Sequence, residues 1–197
     1  MYRGLLFFLR YIMNIEPMRL FLSEANIKRH LEHLRQTRLR YSIMEKSLPE
    51  LCGKTICELV RLNIDRDAKD EAISLLFYIK AHECFFDSFA DRQGISGEWG
   101  GYPAREKFLY DLYSEAIKRD HCFLFIFRDR HGSYKWTFSD GDDGAFIRYE
   151  PLLAIDLYEH SYFLDYGFEK KMYLRNALAY LRLSALDKRD GKGYNKV

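Results

Sequence analysis

Asp156 and His160 stand four residues apart in LLAIDLYEHSYFLDY, residues 152–166, a stretch that is otherwise apolar and aromatic. Burying a carboxylate and an imidazole there without partners is costly. Two arrangements relieve the cost: both groups coordinate a metal ion, or they pair by a hydrogen bond inside the core. Two more imidazoles lie far upstream in segments of helical character, His30 in SEANIKRHLEHLRQT and His82 in AISLLFYIKAHECFFDSF. Either could complete a metal site begun by Asp156 and His160.

Other groups compete for notice. His33 lies three residues after His30 on the same helix face, so a second His-x-x-His site is conceivable, but Glu32 and Arg35 beside it argue for a solvated face. Cys84 follows His82 by two residues and at helical spacing points away from it. His121 borders an apolar run close enough to enter a pocket, and His131 sits near a turn.

The elements that must carry these residues are readable from periodicity. Ser23 is a natural N-cap, and Ile27, Leu31, Leu34 and Tyr41 recur at helical spacing behind it. Ser47-Leu-Pro-Glu has the form of a second capped start, and Glu71 to Phe89 reads as a helix apolar on most sides. Together these suggest a helical hairpin. The glycine-rich stretch DRQGISGEWGGYP, Asp91 to Pro103, marks the best boundary, followed by a helix over Ala104–Arg119. Beyond it the period changes. Cys122–Phe127, Ser133–Ser139 and Leu152–Leu157 read as three strands, a helix follows from about Lys170 to Leu186, and a polar tail ends the chain.

Composition restricts the classes of function. The 197 residues are 48% hydrophobic and 16% aromatic, enough for a sizeable core. Thirty-one basic and 29 acidic residues are interspersed, which does not suit the broad basic face of a nucleic-acid binder. Cys52, Cys57, Cys84 and Cys122 show no zinc-type spacing and are too sparse for a disulfide scaffold, so they are expected to be reduced and structural. The start, MYRGLLFFLRYIM, has an apolar run broken by Arg10, too short to span a bilayer and without an evident cleavage site. No membrane attachment and a cytoplasmic location are expected, and residues 1–15 read as an extension of unknown role.

The residues also carry a resemblance. PLLAIDLYEHSYFLDY is similar to the signature D-x-W-E-H-A-Y-Y of the iron/manganese superoxide dismutases, which supplies two metal ligands. Ser23 to Thr37 resembles that family's first helix, in which a histidine seven residues after a serine is a ligand and a Gln-Thr pair follows; this histidine falls on His30. A-H-E-C-F-F resembles the family's N-H-x-F-Y-W and places the second ligand on His82. The likeness spans nearly all of residues 16–185. It implies an α+β fold with an N-terminal antiparallel helical hairpin over 16–93 and a C-terminal α/β domain over 103–197 built on a three-stranded antiparallel sheet. It further implies one iron or manganese ion per chain on His30, His82, Asp156 and His160. The activity implied is conversion of superoxide to oxygen and hydrogen peroxide by redox cycling of that ion. A homodimer through Glu159 and His160 follows, because the family's equivalent glutamate bonds the partner's last ligand.

Around those ligands the sequence departs from the pattern. Arg38 stands where the family has a gateway tyrosine, and Leu34 where it has a histidine. Tyr78 takes the place of the iron-type glutamine, and the manganese-type glutamine position falls near Gly141. Phe86 and Tyr158 replace tryptophans, Phe123 and Phe125 fill a tryptophan segment, and Phe163 replaces an interfacial tyrosine. On the enzymatic reading, Tyr78 donates to bound solvent, Arg38 attracts superoxide and Glu159 bridges subunits. The alternative is a non-catalytic protein of this fold that keeps the metal and acts as an interaction module. A third possibility is a shell altered toward peroxide or another small oxidant.

Overall fold

A computed structural model describes residues 15–90, 105–129, 131–141, 146 and 150–183. The expected boundary at Asp91–Pro103, residues 1–14 of the extension and the tail from Ser184 lie outside the described residues.

Helices come first. After a short 3-10 turn at Glu16–Leu20, helix α1 runs over Glu24–Ser47, and its N-cap Ser23 accepts a hydrogen bond from the Asn26 N–H, as the sequence suggested. Helix α2 (Ile56–Val60) is held by a capping box between Thr55 and Glu58. Helix α3 covers Arg66–Phe86, starting five residues before the expected Glu71 because Asp65 accepts from the Ala68 N–H and caps it there. Ser47 caps nothing: it is the last residue of α1, and its hydroxyl donates back to the Ile43 carbonyl. Helices α1 and α3 pack antiparallel, with His30 against Phe85 and Phe86 at one end and Arg40 paired to Glu71 at the other. Both phenylalanines are fully buried, so truncating either to alanine would cost about 3–5 kcal/mol.

Helix α4 (Arg105–Ala116) leads into the sheet. Strands β1 (Phe123–Arg128), β2 (Tyr134–Ser139) and β3 (Leu153–Asp156) form a three-stranded antiparallel sheet in the order β2-β1-β3. The β1–β2 turn closes on Asp129, whose carboxylate accepts from the N–H groups of His131 and Ser133, with Gly132 at positive φ. A helical turn α5 (Phe163–Tyr166) and helix α6 (Lys170–Ala179) complete the described chain. Helix α6 ends seven residues before the expected Leu186 because the chain there joins the other half. Leu181 bridges Phe89, and the Arg182 N–H donates to the Ser88 carbonyl. The architecture is α+β, helices followed by a helix-flanked antiparallel sheet.

Several contacts seat the sheet on the helices. The Ala154 N–H of β3 donates to the Ser88 hydroxyl, just past α3. Asp165 of α5 accepts from the Ser23 N–H and the Asn26 side-chain amide, both at 2.9 Å, and so holds the start of α1. Among the described residues, no helix is long and apolar enough to cross a membrane.

Candidate metal centre

Asp156 ends β3, and the β1–β3 register sets it opposite Phe123. Its backbone carbonyl accepts from the Tyr173 and Ser161 hydroxyls, and its Oδ1 accepts from the Tyr158 N–H at 2.8 Å. With Oδ1 occupied, Oδ2 is aimed at three imidazoles: His30 Nε2 at 3.1 Å, His160 Nε2 at 3.2 Å and His82 Nε2 at 3.8 Å. The four ligand atoms all lie within 4.8 Å of one another. Asp156, His30 and His82 have fully buried side chains, while that of His160 is 29% exposed.

Despite these distances, His30 Nε2, His82 Nε2, His160 Nε2 and Asp156 Oδ2 have no hydrogen-bond partner. Buried polar atoms left unpaired carry a desolvation penalty of about 1–3 kcal/mol each. Four of them converging on one point is what a cation would relieve, and three imidazoles plus one carboxylate fit iron or manganese in donor chemistry.

The tautomer of one imidazole is fixed. His82 Nδ1 lies 2.7 Å from the Tyr78 carbonyl, which can only accept, so the proton sits on Nδ1 and the Nε2 lone pair faces the cluster. Burial lowers the His82 pKa to about 3, with His30 acting in the same direction and Asp156 opposing. Burial also lowers that of His30, against the pull of Asp156. For Asp156 itself burial would raise the pKa, but the imidazoles of His160 and His30 outweigh it and the net shift is downward. His30 and His82 are thus favoured as neutral imidazoles beside an ionised Asp156, the protonation state a metal requires of its ligands.

Aromatic rings enclose it: Phe85 and Phe86 against His30, Phe123 against His82 at 5.2 Å, and Tyr158 stacked on His160 at 5.6 Å. His33, expected on a solvated face, is exposed, yet its ring lies 5.0 Å from His160 and 5.4 Å from His82. Cys84 and His121 stand outside the four-residue group, and the His121 ring lies 6.1 Å from that of Tyr158.

The remaining candidates are placed as follows. The Tyr78 hydroxyl shares a hydrogen bond of 3.0 Å with the Tyr158 hydroxyl, so the tyrosines at a glutamine and a tryptophan position of the family meet in one pair. The Arg38 guanidinium donates to Glu83 at 2.9 Å, linking α1 to α3 one residue after His82. Leu34 is buried in the core. Gly141 has φ of +112°, and a Cβ added there would meet the Phe77 ring at 3.0 Å, so that position admits no side chain without strain. Glu159 is exposed in a 3-10 turn beside His160. Tyr158 as phenol partner and Asp165 as a brace for the His30 helix were not foreseen. The only local hint was that each is a polar residue within a few positions of His160.

Residues 92–189 match the family model described as iron/manganese superoxide dismutases, C-terminal domain. No curated protein matches the chain. The matched residues include Asp156 and His160, and the geometry brings His30 and His82 to them from the helices that precede.

Proposed function

The chain belongs to the iron/manganese superoxide dismutase family, and from that premise we propose that it is a metal-dependent superoxide dismutase holding one iron or manganese ion on His30, His82, Asp156 and His160. The observation that carries this reading is the set of four unpaired ligand atoms within 4.8 Å of one another. A bound iron or manganese ion supplies one-electron exchange, by which two superoxide ions and two protons become oxygen and hydrogen peroxide. The protein supplies the rest. Asp156 would give the ligand set its single negative charge, and its Oδ1 bond to the Tyr158 N–H fixes its orientation. The Tyr78 carbonyl holds the His82 imidazole as a lone-pair donor.

The Tyr78–Tyr158 pair stands in for the family's glutamine as the source of hydrogen bonds at the open side of the centre. Arg38 draws the anion toward this side, moderated by Glu83, and the same ion pair keeps α1 and α3 in register beside His82. Two copies of the chain associate through Glu159 and His160. In support, His160 is the partly exposed ligand, and Phe163, Leu164, Phe168 and Met172 in the following segment are 46%, 51%, 90% and 52% exposed. Exposed apolar side chains grouped in this way mark an interaction surface.

The ligand assignment is tested by His82→Ala. Metal content is expected to fall from about one ion per chain to none, with superoxide removal lost in parallel. Unchanged metal content in that variant would refute the site. Full metal with no superoxide removal in the native chain would favour the non-catalytic alternative, which the substituted positions 34, 38 and 78 also suit.

A further inference from the structure

The positions that guard the family's centre do not do so here in the same way: Leu34 is turned into the core, and the Arg38 guanidinium is held by Glu83. Another side chain of α1 reaches the centre instead. An α-helix rises about 1.5 Å per residue with 3.6 residues per turn, so His33 lies about 4.5 Å further along α1 than His30 and on nearly the same face. His30 meets the His82 and His160 rings edge-on, at 4.9 and 5.0 Å and 89° each. His82 and His160 lie stacked at 5.9 Å, and His33 contacts both from the next turn, tilted at 52° and 44°. The flanking charges do not intrude, because Glu32 accepts from both Arg35 and Gln36.

Exposure distinguishes His33 from the other rings around the centre. Phe85, Phe86 and Phe123 are fully buried and Tyr158 is half-buried, whereas His33 faces solvent on one side and two ligands on the other. We infer that His33 is the cover of the centre: its imidazole closes the solvent-facing side of the His82–His160 pair, and small anions and chelators reach the ligands past it. This assigns His33 an access role outside the four ligands, and its second half rests on the proposed metal site. The lowering of the His33 pKa by burial, and then by the imidazoles of His160 and His30, accords with this contact.

Two readouts test the cover, one of them independent of metal. In the metal-free full chain, His160 acylation by diethylpyrocarbonate, mapped by mass spectrometry, is compared among the native protein, His33→Ala and His33→Phe. The expected result is several-fold faster labelling of His160 in His33→Ala and near-native labelling in His33→Phe, which restores a ring. Continued protection of the buried Cys122 thiol from alkylation verifies the fold in each variant. In protein loaded with iron or manganese, His33→Ala should keep about one ion per chain, yet release it to a chelator and bind azide several-fold faster. Unchanged His160 labelling in His33→Ala overturns the cover, and loss of metal stoichiometry overturns it in favour of His33 as a ligand. Should the native chain take up no metal, the proposed function fails, while the labelling result still decides the role of His33.

Discussion

His30 Nε2 lies 3.1 Å from Asp156 Oδ2, near enough for a hydrogen bond, and neither atom has a hydrogen-bond partner. The two groups share a direction toward a common centre, to which His82 and His160 also point. Without an ion, this arrangement stores cost in the fold, and the cost depends on pH. Burial keeps His82 neutral down to about pH 3, whereas in the unfolded chain it titrates near 6.5. Between those values the unfolded chain binds the additional proton, so stability rises with pH through that window and is lost as pH falls through it. The downward shift of Asp156 acts in the same sense below the ordinary carboxylate value. Metal-free protein should therefore lose on the order of a few kcal/mol of stability between about pH 6.5 and pH 3. Iron or manganese should move the acid unfolding midpoint lower. Denaturant titrations across that range, with and without metal, measure both effects.

Asp165 accepts from two donors at the start of α1, 142 and 139 residues away in sequence. It joins the helix that carries His30 to the segment that carries His160. Removing the carboxylate in Asp165→Ala leaves the Ser23 N–H and the Asn26 amide without their partner, at an expected cost of about 1–3 kcal/mol. The denaturation midpoint should fall accordingly. Metal affinity should fall with it, because His30 loses the brace on its helix.

The Tyr78–Tyr158 hydrogen bond is the clearest departure in the shell of the centre. Groups that bond to a metal's ligands or solvent typically change activity or affinity by about 10–100-fold when removed. Tyr78→Phe is expected to keep metal content near native, since the carbonyl that holds His82 is backbone, and to slow superoxide removal by about tenfold or more. Equal rates for Tyr78→Phe and native protein would remove Tyr78 from the mechanism.

Association through Glu159 is open to direct measurement. Sedimentation of the metal-loaded chain should give a dimer, and Glu159→Ala should shift it toward monomer and speed metal loss, since His160 loses the hydrogen-bond partner that orients it. A native chain that is monomeric at high concentration with full metal would deny Glu159 this role.

The four-residue cluster of His30, His82, Asp156 and His160 was legible because costly buried groups leave a trace in sequence: a carboxylate and an imidazole inside an apolar run need a reason to be there. Two things made that trace interpretable: the alternation of periods and the resemblance around His30 and His82. Helix α1 was readable from Ser23 and the spacing of Ile27, Leu31 and Leu34, because N-cap and amphipathic signals are local. The ends of α3 and α6 were not. Asp65 competes with later candidate starts, and α6 stops where Leu181 pairs with Phe89, a contact no local pattern encodes. The same limit hid Asp165, whose partners are fixed by tertiary packing. It also hid the closeness of His33 to the ligands, since its charged neighbours pair with each other and leave the ring free to turn inward.

The most direct test of the central claim is metal analysis of the purified native protein, joined on the same sample to a superoxide-removal assay before and after reconstitution with iron or manganese. The account expects about one ion per chain and superoxide removal that follows metal content. No bound metal under any condition of reconstitution would contradict it.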